Sequence, residues 1–469
     1  MKYNQVTEDV LQALREAVGE KYVHTDEDKL EMYKTDEEGN PYFHHRPEVV
    51  VFPGTAKETA AVMKIANTYL VPVTPRSGGT GLAGGAIPSE GGIVLVLDRM
   101  NRILEINEDA LYAVVETGVR TCDIQAEAKK RGLLYAGDPC SSESCQIGGN
   151  VATNAGGNKA VRYGTTRNQI YSVEMVTPEG EIVEIGARLQ KCSTGFCLEQ
   201  LVCGSEGLLG IITKVTLKLR PLPTHFLDML AIFESVEKAV ALPNKILKAG
   251  IEPTSIEFME NESIKLCSQY IQTPLPYMND GAVYVIVSLD SMDEDDLDKK
   301  TERLCDLCEA EGAIEIVEAD DRIWNARRNI AEACRDRSLT YYAEDYVVPL
   351  DHISEILKEM TRIADKHGIE RVTVAHIGDG NMHTNLLNTQ ELVPMDWLHK
   401  IEAFHNEFFP VVYEMGGRLS GEHGIGLKKA GDFKQHTDPV AFDLMMRIKK
   451  AWDPNGILNP GKLLPQENQ

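Results

Sequence analysis

The sequence has no apolar run of the roughly 18 residues that a membrane-spanning helix needs, so no transmembrane segment is expected. Met1-Lys-Tyr-Asn-Gln5 has no apolar signal core behind it, and the expected location is the cytoplasm. Positive charge is scarce. Lysine and arginine number 48 against 72 aspartates and glutamates, a net charge of −24. A chain of that sign is a poor partner for nucleic acid or an anionic membrane. Ten cysteines in 469 residues do not make a disulfide framework. The single C-x-x-C, Cys305 to Cys308, lies in a charged helical pattern and lacks the roughly four ligands of an iron–sulfur cluster. Internal repeats and low-complexity segments are missing too.

Glycine is plentiful where it matters. Val71 to Ala86 contains Pro75, Arg76, Ser77, Gly78, Gly79, Thr80 and Gly81, a stretch whose backbone amides can converge on an anion. A bland glycine-rich turn fits the same residues. Gly79-Thr-Gly81-Leu-Ala-Gly84 also spells the dinucleotide fingerprint, but that motif must open a helix, and Pro88, Gly91 and Gly92 break one within a turn. The loop is therefore expected to pass from strand to strand. Ahead of it, Glu48–Phe52, a helix capped by Thr55 and Val71–Thr74 form a β-α-β pattern.

A second glycine-rich region is expected to form loops presenting main-chain donors: Asp138-Pro139, Gly148-Gly149-Asn150, Asn154-Ala-Gly156-Gly157 and Tyr163-Gly164. Gly204-Ser-Glu-Gly207 then precedes a strand containing Ile212. The organisation expected is a lead-in, 1–45, with one amphipathic helix and an irregular charged remainder. It is followed by an α+β domain over 46–222 that holds an extended phosphate-bearing ligand, a second α+β domain over 223–412 and a mainly helical segment over 413–469. Ile323–Ala333 reads as one helix.

The strongest chemical signal is bipartite. His376-Ile-Gly-Asp-Gly-Asn-Met-His383 places two histidines around a turn sequence, so a hairpin can bring them onto neighbouring strands. Ser420-Gly-Glu422-His423-Gly424 adds a carboxylate and an imidazole in a glycine loop. Two imidazoles and a carboxylate suit a divalent transition metal with open positions, and of the adjacent Glu422 and His423 one can ligate while the other acts as base. Gly456 to Lys462 spells a P-loop, but Leu463 replaces its Ser/Thr and no helix follows.

Taken together and in order, Pro75–Gly81, Gly148–Asn150, Asn154–Gly157, Gly204–Gly207, Ala375–Asn381, Ser420–Gly424 and Asn459–Lys462 resemble the FAD-linked D-2-hydroxyacid dehydrogenases. That family is the glycolate oxidase large-subunit and D-lactate dehydrogenase group of the vanillyl-alcohol oxidase superfamily. The resemblance spans roughly 46–465. It implies a two-part FAD-binding domain of the vanillyl-alcohol oxidase type, an α+β substrate (cap) domain and a C-terminal segment, 413–469, returning to the flavin. FAD would be held by Pro75–Gly81, Asp138, Pro139, Gly148, Gly149, Asn150, Asn154, Gly156, Gly157, Gly164, Gly207, Ile212 and Asn459. His376, His383 and Glu422 match the ligands of a zinc, iron or manganese ion, His423 the base, and Arg327 the arginine that binds the substrate carboxylate. The implied reaction oxidises a small D-2-hydroxyacid, D-lactate first, to the 2-oxoacid (pyruvate), with hydride to flavin N5. Electrons would pass to a protein acceptor, either the α and β subunits of an electron-transferring flavoprotein or an iron–sulfur subunit. The alternatives are a glycolate or other 2-hydroxyacid dehydrogenase with a different acceptor, and a non-catalytic flavin electron-transfer subunit. Thr80 stands where relatives with covalent flavin carry histidine, so non-covalent FAD is expected. Ala343 stands where hydroxyglutarate-specific relatives carry lysine, which favours a monocarboxylate.

Overall fold

Val49, Val50 and Val51 are all fully buried, the pattern of a parallel strand covered on both faces. In the structure, a computed structural model describing residues 3–278 and 281–465, they form the strand Val49–Val51. The helix Ala56–Tyr69 follows, capped by the Thr55 hydroxyl, which accepts from the Glu58 amide. The strand Val73–Arg76 completes the β-α-β unit. Ile93–Val96 lies between the two strands and runs parallel to both. Between Arg76 and Ile93 the chain makes only turns, as the proline and glycines dictate. Gly92 is required there: its φ is +67°, and a Cβ would stand 2.3 Å from the Pro72 carbonyl oxygen.

This sheet belongs to a unit made of Met1–Ala155, Thr165–Pro221 and His423–Gln469. The same unit holds a five-stranded antiparallel sheet in the order Ile103–Asn107, Tyr112–Glu116, Ile211–Lys218, Ile170–Val176, Ile182–Gly186. The end of the chain returns to the glycine-loop strand: the Val73 amide donates to Ile457 O and the Asn459 amide to Val73 O, each at 2.8 Å. Ile457 and Leu458 are buried with Val49, Val51, Val73 and Ile93 in one apolar cluster.

The other unit comprises Gly156–Gly164 and Leu222–Glu422. Its centre is a seven-stranded sheet in the order Glu315–Glu318, His225–Phe233, Val283–Ser291, Ser255–Met259, Glu370–His376, Asn381–Leu387, Tyr341–Val347. Every neighbouring pair is antiparallel. Both units mix helices with sheets, so the fold class is α+β.

Three local expectations change. The lead-in is not irregular after its first helix: Val23–His24 pairs with Val49–Val51, and Asp26 caps the helix Glu27–Met32. The next residues cover the glycine loop, where Arg76 donates to Thr35 O and stacks on Tyr33, and the Glu37 amide donates to Gly81 O. Residues 147–153, expected to be loop, form the helix Ile147–Thr153. Ile147 and Val151, one turn apart, are both fully buried, and that burial outweighs the cost of Gly148 and Gly149 in the first turn. The helix expected over 323–333 is two, Asp321–Arg328 and Ile330–Arg337. They break at Asn329, whose side-chain amide donates to Asn325 O at 2.8 Å.

Candidate active site

The hairpin forms as its turn sequence requires. Gly380 has a φ of +81°, and a Cβ on it would stand 2.1 Å from Val348 O, so only glycine closes this turn. His383 lies opposite Val374 in register, two residues from His376 along the neighbouring strand, which puts both imidazoles on one face of the sheet. The rings meet edge to face with centroids 5.0 Å apart. Both Nε2 atoms point at the same oxygen, Glu422 Oε1, at 3.5 Å from His376 and 3.2 Å from His383. One ligand atom from each of the three residues falls within 4.8 Å of the others.

Two buried carboxylates behind this triad were not singled out from the sequence. Asp345, paired in register with His383, lies 3.7 Å from His383 Nδ1. Its carboxylate also accepts from Asn381 Nδ2 at 2.7 Å, from the amides of Gly421 and Glu422 at 3.1 Å each, and from the Ser420 hydroxyl. Asp345 therefore fixes the loop that presents Glu422. Gly421 must be glycine, because a Cβ would meet Asn381 Nδ2 at 2.3 Å. Glu257 lies in Ser255–Met259, a strand with every residue buried. It accepts from His376 Nδ1 at 2.8 Å and pairs with Arg327 Nη2 at 2.7 Å. Each had a sequence signal: a lone carboxylate inside an apolar strand, and a position two along from Ala343 on the same face.

Burial acts to raise Glu257 and Glu422, but the histidines beside them, with Arg327 in the case of Glu257, outweigh it and hold both below the ordinary carboxylate range. Burial pushes Asp379, in the hairpin turn, up to about 6. Glu257, Asp345, Asp379 and Glu422 thus surround two imidazoles and one guanidinium. That excess of negative charge, with three converging N/O donors, suits a divalent transition metal held by His376, His383 and Glu422. Gly156 fits closely: a Cβ there would stand 2.7 Å from Glu422 Oε2.

In the first unit the glycine residues expected to hold FAD do gather. A Cβ on Gly207 would meet Pro75 Cγ at 2.9 Å, one on Gly149 would meet Ser77 Cβ at 3.3 Å, and one on Gly78 would meet Ser144 O at 2.8 Å. Asn459 Nδ2 donates to Glu206 O at 2.7 Å, beside the same glycine. Backbone packed this closely suits the approach of a phosphate-bearing ligand, and FAD fits this cradle. Asn150 and Asn154 spend their side chains locally, on Thr121 and on Thr165 and Arg167. Asp138 takes a bond from Gln125, and Ile212 is a buried strand residue. Gly156, Gly157 and Gly164 fall in the second unit.

The chain enters the first unit at His423. The next residues are pinned there by Glu206, the acid of Gly204–Gly207, which accepts from the amides of Ile425 and Gly426 at 2.7 Å each. Burial raises this carboxyl, against the two amides that favour its charge. Glu206→Ala is expected to leave two buried amides unsatisfied and to cost about 2–4 kcal/mol. Urea unfolding checks this; a loss under about 0.5 kcal/mol would contradict it.

A family model described as "FAD binding domain" matches residues 47–186, and one described as "FAD linked oxidases, C-terminal domain" matches residues 222–463. The chain is 33% identical to a D-lactate dehydrogenase of Anaerostipes hadrus, covering 98% of both chains. It is 36% identical to glycolate oxidase subunit GlcD of Escherichia coli K12, covering 97% of this chain and 91% of that one. Among solved structures, p-cresol methylhydroxylase with substrate bound superposes with a TM-score of 0.84 at 20% identity, over 98% of each chain, and so shares the fold. Among the described residues no helix is long and apolar enough to cross a membrane.

Proposed function

Because the chain belongs to the FAD-linked 2-hydroxyacid dehydrogenase group of the vanillyl-alcohol oxidase fold, we propose that it oxidises a small D-2-hydroxyacid, D-lactate first, to the 2-oxoacid, using non-covalent FAD and a divalent metal. The observation that carries the reading is the convergence of His376 and His383 on Glu422, with Arg327 tied through Glu257 to the same histidine. When bound, the metal supplies Lewis acidity toward the substrate hydroxyl and FAD supplies a two-electron acceptor.

The protein's own groups do the rest. Arg327 binds the substrate carboxylate with a planar two-donor fork, which also fixes the orientation of the adjacent carbinol carbon. His376, His383 and Glu422 hold the metal. His423, next in the chain to Glu422, takes the hydroxyl proton on an imidazole nitrogen. The glycine cradle of Pro75–Gly81, Gly149, Gly207 and Asn459 holds the flavin. Ala343 on the strand Tyr341–Val347 offers no cation for a second carboxylate, which supports a monocarboxylate substrate.

Discharge of the reduced flavin is assigned to a separate protein, an electron-transferring flavoprotein before an iron–sulfur subunit. The sparse cysteines support an acceptor outside this chain: all ten are free thiols, without a four-cysteine motif.

Anaerobic mixing of the yellow protein with D-lactate, L-lactate, glycolate and D-2-hydroxyglutarate tests the reaction. Bleaching of the flavin by D-lactate, at least about tenfold faster than by the others, is the expected result. Colour that persists with all four acids would overturn the dehydrogenase reading in favour of an electron carrier.

A further inference from the structure

Glu257 joins the two halves of the proposed site. We propose that it is a positioning residue whose two carboxylate oxygens set, respectively, the metal-ligand histidine His376 and the carboxylate-binding arginine Arg327. This rests on the reading above and adds a residue to it.

The chemistry of the contacts is specific. A carboxylate only accepts, so Glu257 Oε1, 2.8 Å from His376 Nδ1, requires the proton on Nδ1 and leaves Nε2 as the nitrogen with a lone pair. Nε2 is the atom that faces Glu422. The other oxygen, Oε2, lies 2.7 Å from Arg327 Nη2 and orients the guanidinium. The side chains of Glu257 and Arg327 are 0% and 4% exposed, so neither contact is loosened by solvent. Burying a carboxylate in an apolar strand is unfavourable without compensating partners, and here an imidazole N–H and a guanidinium face its two oxygens. One side chain thereby fixes the separation between the carboxylate anchor and the metal-ligand nitrogen.

Glu257→Gln keeps the shape and breaks the logic. Its amide has one acceptor and one donor end. With the donor toward His376, it favours the tautomer protonated on Nε2, which cannot ligate. With the donor toward Arg327, two N–H groups face each other and the fork is pushed away.

Zinc ion is the probe, titrated against a chelator on the flavin-loaded protein without substrate. Glu257→Gln is expected to weaken zinc binding about 10–100-fold and to raise the hydroxyacid KM at least about tenfold, while the flavin spectrum stays as in wild type. Zinc affinity within about twofold of wild type would overturn the proposal, whatever KM does. Should this variant not fold, Glu257→Asp is read in the same titration. It keeps the charge but withdraws it from His376, so weaker zinc binding supports the proposal and unchanged binding overturns it. His376→Ala is the control for the underlying reading. If it titrates like wild type, the metal assignment itself fails. If it alone loses zinc, only the role of Glu257 fails.

Discussion

The Glu422→Gln enzyme is expected to lose about 10³-fold in hydroxyacid turnover, equivalent to about 4 kcal/mol, and to retain no zinc after gel filtration. Its flavin absorbance should match that of wild type, because the flavin cradle lies in another part of the chain. The reason is both geometric and electrostatic. Glu422 Oε1 is the oxygen on which both imidazoles converge, and the flanking histidines hold it ionised despite its burial. An amide keeps the bulk but has no charge, and its NH2 end would face imidazole nitrogens that are meant to ligate. Metal analysis alongside anaerobic flavin reduction checks this. Full zinc content with full activity would remove Glu422 from the site.

Arg327→Lys should raise the hydroxyacid KM about 10²-fold, some 2–3 kcal/mol, with a smaller change in kcat. Lysine retains the charge but replaces a planar fork with a point donor, so a bound carboxylate loses one of two parallel hydrogen bonds and its fixed orientation. The buried Glu257 oxygen also loses its guanidinium partner, 2.7 Å away, so the thermal midpoint should fall by a few degrees. Steady-state kinetics with D-lactate separates the two constants. An unchanged KM would mean that Arg327 serves only the buried pair.

Much of this arrangement is legible in the sequence. Pro88, Gly91 and Gly92 forbid a helix after the glycine loop, and the chain there indeed joins two parallel strands. Gly378-Asp-Gly-Asn381 announces the hairpin, which places His376 and His383 on one face. What escaped depends on long-range pairing. Glu257 lies 119 residues from His376, and its role appears only when Ser255–Met259 takes its place beside Glu370–His376. Asp345 acts through a register with His383 that no local pattern encodes. Glu206 was hidden among the glycines of its motif, although it is the group that pins the chain after His423. The helix Ile147–Thr153 was missed for the opposite reason. Local propensity pointed to a loop, and the burial of Ile147 and Val151 decided otherwise.

The proposed hydroxyacid oxidation depends on a metal held by His376, His383 and Glu422. The most direct measurement is anaerobic flavin reduction by D-lactate, before chelator treatment, after it, and after zinc or manganese is returned. The expected results are bleaching, loss of bleaching, and recovery, with the recovery absent in His383→Ala. Bleaching at the wild-type rate in protein shown to be metal-free would contradict it.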